Sequence, residues 1–183
     1  GTYDNRIFTA VGSGGCEGTL WFRSTDCITF YSHDTGCSRA ECDMRTTALF
    51  RDTSAWYHIV VAINTSDGTA ADRVKIYVNN VRLTDFTTNT QFDSGETNYW
   101  NSTAQSQVHK IGTQTVDQYF AEMHYLDGQT LTPSSFGEVD EDYGHWKPKE
   151  VEGLTYGNNG FYLDFADSAA FGNDVSGNNN DFT

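Results

Sequence analysis

The chain has 183 residues, of which 37% are hydrophobic and 14% are aromatic. Its 25 acidic and 11 basic side chains give a formal net charge of -14, which repels phosphate backbones and anionic lipid headgroups. This charge argues against nucleic acid and membrane surfaces as partners. No apolar run reaches the roughly 18 residues of a membrane-spanning helix, and the length fits one domain with a well-filled core.

Short runs of alternating aromatic and aliphatic residues dominate the chain and are broken about every ten positions by Gly, Asn, Asp, Ser or Thr. Helical periodicity is nearly absent. The pattern predicts an all-β fold, a two-sheet antiparallel β-sandwich with little helix. The predicted strands are residues 7–11, 19–23, 28–32, 46–51, 56–63, 73–78, 81–86, 108–111, 119–126 and 160–165.

All four cysteines, Cys16, Cys27, Cys37 and Cys42, lie in the first quarter of the chain. They form no CxxC pair and no His follows at a zinc-finger spacing, so a zinc site is not indicated. We expect Cys37 to pair with Cys42 across a loop tip and Cys16 to pair with Cys27, with free thiols as the alternative. Disulfides would indicate an oxidising compartment.

The middle of the chain carries the clearest strand signals. Residues 56–63 are apolar at both odd and even positions, which predicts a central strand covered on both faces. Residues 73–78 alternate between apolar and polar, which predicts one buried face and one solvated face. Asn79 and Asn80 tolerate positive φ, and they predict a tight type I′ hairpin. Thr132 and Pro133 then predict one short helical turn.

Four segments, taken in order, resemble those of a known family. They are residues 52–61 (DTSAWYHIVV), 74–80 (VKIYVNN), 109–112 (HKIG) and 121–132 (AEMHYLDGQTLT). Together they resemble the laminin-G-like, concanavalin A-like jelly-roll domains found in tail, fibre and surface proteins of marine phages. The resemblance covers residues 46–183. It departs at Asn79-Asn80, where the family usually has Asn-Gly, and the cysteine-bearing first part does not match.

The resemblance implies two curved antiparallel sheets packed face to face, in a jelly roll that binds glycans or serves adhesion and structure. We therefore expect a non-catalytic structural or receptor-binding module of a virus (phage) particle or extracellular fibre, located on the virion or outside the cell. Expected partners are further copies of the chain, other virion proteins and cell-surface glycans. The alternatives are a secreted carbohydrate-binding lectin and a glycoside hydrolase of the same fold.

The C-terminal segment does not fit the usual order of segments in such a domain. Residues 1–159 would form the sandwich, while the strand and loop at residues 160–183 look like the opening of such a domain, although they come last. Three accounts are open. The strand completes the same sheet in permuted order, begins a second domain, or is donated to the sheet edge of a neighbouring subunit.

Two sets of side chains are candidates for binding. Asp174, Asn178 and Asp181 offer oxygen ligands of the kind that calcium takes, although Asx and Gly clusters also form plain turns. Calcium is therefore a possible cofactor. Aromatic residues in predicted loops could stack on sugar rings, with packing as the alternative; these are Tyr99, Trp100, Tyr143 and Trp146.

The acidic run is the one feature that suggests catalysis. Glu138, Asp140 and Asp142 alternate, so a strand would carry all three on one face, as in glucanases of the resembled fold. The glucanase pattern puts its last Glu five residues after the first, and that position is Tyr143 here. No GxSxG, P-loop or dinucleotide motif is present. We therefore expect a solvated acidic run and no catalytic residues.

Overall fold

The computed structural model describes residues 4–34, 36–38, 40–101, 107–112 and 118–183. The described residues form strands and short 3-10 helices, and every strand pairing is antiparallel. The chain is therefore an all-β protein, as predicted. Within the described ranges, no helix has the length and apolar character needed to cross a membrane.

The strands fall into one large sheet and three small ones. Their bounds are β1 Asn5–Val11, β2 Glu17–Phe22, β3 Cys27–His33, β4 Ala40–Leu49, β5 Ile59–Ile63, β6 Val74–Val78, β7 Val81–Arg82, β8 Phe86–Thr90, β9 Val108–Ile111, β10 Met123–Tyr125, β11 Gly137–Val139, β12 Trp146–Pro148 and β13 Phe161–Leu163. The large sheet has the order β8-β4-β3-β2-β1-β9. The small sheets are β5-β6-β7, β10-β13 and β11-β12.

One apolar cluster joins the large sheet to two of the small sheets, which makes the structure a sandwich. The large sheet contributes Phe8, Leu20 and Phe30, among others, β6 contributes Val74, Ile76 and Val78, and β13 contributes Phe161 and Leu163. Aromatic rings fill much of the space between the layers. Burying this apolar surface is the main force that holds the two layers together.

The hairpin between β6 and β7 confirms the prediction for this region. Val74, Ile76 and Val78 are buried while the residues between them are partly exposed, as period-two alternation requires. Asn79 and Asn80 have φ values of 48° and 68° and connect the paired residues Val78 and Val81. Two consecutive residues with positive φ form the type I′ turn that matches the twist of a hairpin.

The prediction of a central strand at residues 56–63 is wrong in two respects. The strand begins only at Ile59. Residues 53–55 form a turn in which the Asp52 carboxylate accepts the Ser54 backbone N–H at 2.9 Å, and residues 56–58 are irregular. Among the described strands, β5 pairs with β6 alone, so β5 is an edge strand and β6 is central. The side chains of β5 are half-buried or buried on both faces of the strand.

The cysteine pairing also differs from the prediction. The disulfide joins Cys16 to Cys37, with a Cα–Cα distance of 5.2 Å, and Cys27 and Cys42 are buried free thiols. Cys42 points from β4 into the main core, while Cys37 packs with Cys16 in a separate cluster around Tyr99. Because these clusters are distinct, the neighbours in sequence cannot pair. The bond ties the β3–β4 loop to the start of β2.

The C-terminal strand pairs within its own chain. In β13, Phe161, Tyr162 and Leu163 lie opposite Tyr125, His124 and Met123 of β10. Phe161 and Leu163 are buried in the same core as the large sheet, and Phe182 packs against Phe161 at a ring-centroid distance of 4.9 Å. In this structure residues 160–183 are thus built into the fold of the residues before them.

Removal of the Cys16–Cys37 bond provides a test of the pairing. We expect Cys37→Ser to lower the free energy of unfolding by about 3 kcal/mol, because the bond restricts a loop of moderate length in the unfolded chain. The measurement is urea unfolding with and without reductant. Reductant should destabilise the wild type and leave Cys37→Ser unchanged. Alkylation of four thiols in the unreduced, unfolded wild type would contradict the pairing.

A second test concerns the Asn79-Asn80 turn. We expect Asn80→Val to lower the free energy of unfolding by about 1–2 kcal/mol, because a β-branched residue is strained at positive φ. Asn80→Gly is the matched control and should leave stability unchanged or raise it. Thermal unfolding of both variants checks the sign. Equal stability of the Val and Gly variants would mean that the turn does not adopt this backbone geometry.

Candidate functional site

A wide cleft of about 1770 Å³ opens between β5 and the segment that contains β10. Residues 50–65 line one wall and residues 118–131 line the other. The floor is formed by apolar side chains of the core, which are Phe8, Leu20, Phe30 and Trp100. We call this feature the β5–β10 cleft. Its volume exceeds the roughly 300–1,000 Å³ of pockets for small molecules, and its lining is mixed apolar and polar, so the cleft suits a larger ligand such as a polymer segment.

Two large aromatic side chains of the cleft are exposed to solvent. Trp56 is 66% exposed and Tyr119 is 86% exposed. The ring of the adjacent Tyr57 packs into the structure, against Phe22 and Phe50 at centroid distances of 5.9 and 5.5 Å. Exposed rings beside a cleft offer flat apolar faces to a ligand.

A cluster of aromatic and histidine side chains borders the cleft on the outer face of the β10-β13 sheet. His124 and Tyr162 are cross-strand partners and stack at 4.2 Å between ring centroids. The Tyr156 hydroxyl lies 2.8 Å from His124 Nδ1, and the Tyr162 hydroxyl donates to the Glu122 carboxylate. Burial lowers the pKa of His124 to about 4 and raises the pKa of Tyr156 to about 12. Both groups are therefore uncharged at neutral pH.

His58 links the cleft to the β11-β12 hairpin. The indole Nε1–H of Trp146 donates to His58 Nδ1 at 2.9 Å. Because an indole can only donate, this nitrogen must be unprotonated and the imidazole is neutral. Burial lowers the pKa of His58 in agreement with this geometry. Phe136 contacts both His58 and His124, with centroid distances of 6.4 and 5.4 Å, and joins the two into one cluster.

The predicted sugar-stacking pair Tyr99-Trp100 is buried, which contradicts its placement on an exposed loop. Tyr99 is 0% and Trp100 is 4% exposed. Trp100 stacks on Phe30 with centroids 4.9 Å apart and planes 8° apart, while Tyr99 packs against Cys16. These rings belong to the interior, and packing accounts for both of them.

The other predicted stacking residues, Tyr143 and Trp146, do not form one platform. Tyr143 is 82% exposed in the β11-β12 connection, where its ring contacts that of His145. Trp146 is half-buried and its indole N–H is committed to His58. Sugar stacking at Tyr143 stays a prediction, whereas Trp146 anchors the hairpin.

The predicted calcium ligands make hydrogen bonds that close the C-terminal loop. The two oxygens of the Asp174 carboxylate accept the backbone N–H groups of Tyr162, Ser176 and Asn180, and Asp181 accepts the N–H of Asp174. Asn178 donates its amide to two backbone carbonyls. Within the described ranges, no group of three or more His, Cys, Asp or Glu side chains is placed to hold a metal. Turn chemistry thus accounts for these residues, and calcium binding stays a prediction.

The acidic run spans the end of β11 and the turn that follows it. Asp140 accepts the backbone N–H groups of Asp142 and Tyr143, and Lys147 lies 3.0 Å from Asp140 and 3.6 Å from Glu138. Hydrogen bonding to Lys147 and to these N–H groups lowers the pKa of Asp140. A carboxylate held ionised in this way is unsuited to act as a general acid.

Sequence reasoning missed Trp56 and Tyr119 as candidate binding residues, because it assigned both to predicted strands. The signal that could have identified Trp56 is Asp52-Thr53-Ser54, an Asx-turn sequence that ends an extended segment.

Comparisons of the chain with protein-family models, with curated proteins and with solved structures find no match. The assignment of function therefore depends on the geometry of the cleft and on the resemblance of the four segments.

The pKa values of His124 and His58 predict how stability depends on pH. The unfolded chain takes up protons below pH about 6.5, while folded His124 resists protonation down to about 4. The free energy of unfolding is therefore expected to fall as pH is lowered through this window. His124→Gln should flatten the slope, and the exposed His145→Gln should not. Urea unfolding between pH 7 and 4 is the measurement, and equal slopes in all three proteins would contradict the assignment.

Proposed function

We propose that the chain is a non-catalytic structural or receptor-binding module of a virus particle or extracellular fibre, and that it binds its partner in the β5–β10 cleft. The observation that carries the proposal is the cleft itself, which places the exposed rings of Trp56 and Tyr119 beside a deep apolar floor. Tryptophan and tyrosine are enriched at the centres of binding interfaces.

The exposure of these rings distinguishes the cleft from ordinary surface. An exposed Trp side chain leaves a large apolar area in water, and covering this area on binding is favourable. The floor residues are buried in the main apolar cluster, so the base of the cleft is formed before a partner arrives. A preformed site loses less entropy on binding than a flexible one.

The location outside the cell and the virion context have separate supports. The Cys16–Cys37 disulfide fits an oxidising compartment, in which such bonds persist. The four-segment resemblance to phage laminin-G-like domains supplies the virion context. The net charge of -14 favours solubility and disfavours nucleic acid as the partner.

A carbohydrate is the second candidate for the ligand of the cleft. Sugar rings stack on exposed aromatic faces, and polar side chains along the cleft, such as Asp52, Asn98 and Gln118, could bond sugar hydroxyls. This reading corresponds to a lectin-like module, whether free or carried on a particle.

The test compares cleft variants with a matched control. The immobilised full chain is probed with a glycan array and with a displayed library of random linear peptides. We expect Trp56→Ala and Tyr119→Ala to weaken the binding of selected ligands by about tenfold or more. Phe171→Ala removes an exposed ring outside the cleft and, as the matched control, should leave binding unchanged. Tyr143→Ala tests the predicted stacking residue of the β11-β12 connection.

Two outcomes would contradict the proposal. One is the absence of any selected ligand for a chain that is shown to be folded. The other is ligand binding that Tyr143→Ala weakens and the two cleft variants do not. Release of reducing sugar ends from array glycans would contradict the non-catalytic part of the proposal and would favour the hydrolase alternative.

A further inference from the structure

Among the described residues, the backbone-to-backbone hydrogen bonds of β5 use only one of its two edges. Asn79 N–H donates to the His58 carbonyl at 2.9 Å, and Asn64 N–H donates to the Arg73 carbonyl at 2.7 Å. In an antiparallel pair, alternate residues exchange bonds with the partner strand. These two bonds therefore determine which alternate residues of β5 bond to β6. The backbone groups of Val60 and Ala62 point toward β6, and those of Ile59, Val61 and Ile63 point the opposite way.

The second edge of β5 faces the β5–β10 cleft, since Ile59–Ile63 line it throughout. From the far wall, the hydroxyl of Thr130 donates to the Ile63 carbonyl at 3.0 Å, which agrees with an Ile63 carbonyl that points away from β6. Within the described residues, no hydrogen bond reaches the cleft-facing backbone groups of Ile59 or Val61. The cleft therefore contains a short row of backbone donors and acceptors without protein partners.

The opposite wall is also a strand with one free edge. Among the described strands, β10 pairs with β13 only, and β5 pairs with β6 only. Both strands contribute side chains to the core beneath the cleft, including Ile59, Val61, Met123 and Tyr125. The layer is thus interrupted between two strands that share one apolar floor. An unpaired strand edge of this kind is a template for another strand.

We propose that the cleft accepts an extended peptide segment of a partner protein, which adds to the sheet as a strand along β5. This inference depends on the proposed function and specifies the partner class of the same site. The segment would bond the free backbone groups of Ile59 and Val61. Its alternate side chains would contact partly buried apolar residues of the two walls, such as Ile59, Val61 and Met123, so the sequence it requires is an alternation of apolar and polar residues.

The charge of the cleft indicates a basic segment. Four carboxylates line the cleft against two guanidinium groups, which leaves the lining acidic. They are Asp26, Asp52, Glu122 and Asp127 against Arg23 and Arg51, and Arg51 is paired with Asp26 at 3.1 Å. Lysine or arginine residues at the ends of the segment would meet these carboxylates. A second copy of the chain carries the same net charge of -14, so mutual repulsion disfavours it as the donor. The structure thus favours a partner protein of a different kind.

Residue-resolved amide hydrogen exchange by NMR tests the inference on the full chain. The probe is a synthetic peptide with lysine at each end and alternating valine and threonine between them. In the free chain, we expect the amides of Ile59 and Val61 to exchange faster than those of Val60 and Ala62. The peptide should slow exchange at Ile59 and Val61 by about tenfold or more and leave Val60 and Ala62 unchanged.

Two control peptides make the test specific. A version with proline in place of threonine cannot complete a strand ladder and should give no protection. A version with glutamate in place of both lysines tests the charge argument and should bind more weakly. Equal protection by the proline version, or no protection by the lysine version at saturating concentration, would overturn the inference.

Failure of the inference is distinguishable from failure of the proposed function. If Ile59 and Val61 gain no protection while an array glycan binds in a manner that depends on Trp56, the cleft is a glycan site and strand addition is wrong. If neither kind of ligand binds the folded chain, both proposals are wrong. Protection of Ile59 and Val61 by a second copy of the chain, seen as a concentration dependence without peptide, would overturn the assignment of the partner.

Discussion

The packing of Trp100 against the large sheet is the contact on which the rest of the structure depends. The centroid of its ring lies 4.9 Å from that of Phe30 and 5.5 Å from that of Phe8, so the ring covers the centre of the large sheet, which is the first layer of the sandwich. Gly18 on β2 leaves the space for it, since a Cβ there would lie 3.0 Å from Trp100 Nε1. The adjacent Tyr99 packs into the disulfide cluster, so one dipeptide connects the main core to the Cys16–Cys37 bond. This arrangement packs the inner face of the large sheet into one continuous apolar floor.

The second layer, which is formed by the small sheets, is not one continuous sheet, and the functional proposals depend on this difference. Its strands are short and are separated by turns in which Asp side chains accept backbone N–H groups, as Asp52 and Asp174 do. Residues that lie in these turns cannot extend the neighbouring strands. The layer is therefore divided into small sheets, and the gap between β5 and β10 lies directly over the aromatic floor. A continuous second layer would leave no cleft.

The features that the sequence predicted correctly are local. The alternation of β6, the Asn79-Asn80 turn and the bounds of β9 depend on residues within a few positions of one another, and all three are confirmed. The errors arise where distant segments meet. The burial of Tyr99 and Trp100, the pairing of Cys16 with Cys37 and the edge position of β5 are decided by packing partners that sequence spacing does not reveal. The mostly polar strand β8 (FTTNT) was missed because it carries almost no apolar signal.

The most direct test of the account is chemical-shift mapping by NMR with a ligand selected from the glycan array or the peptide library. The account predicts that the largest shifts occur at the Trp56 indole N–H and at the amides of residues 57–63 and 119–124, which line the β5–β10 cleft. Shifts confined to the β11-β12 hairpin around Tyr143, or to the loop around Asp174, would place the binding site elsewhere and contradict the account.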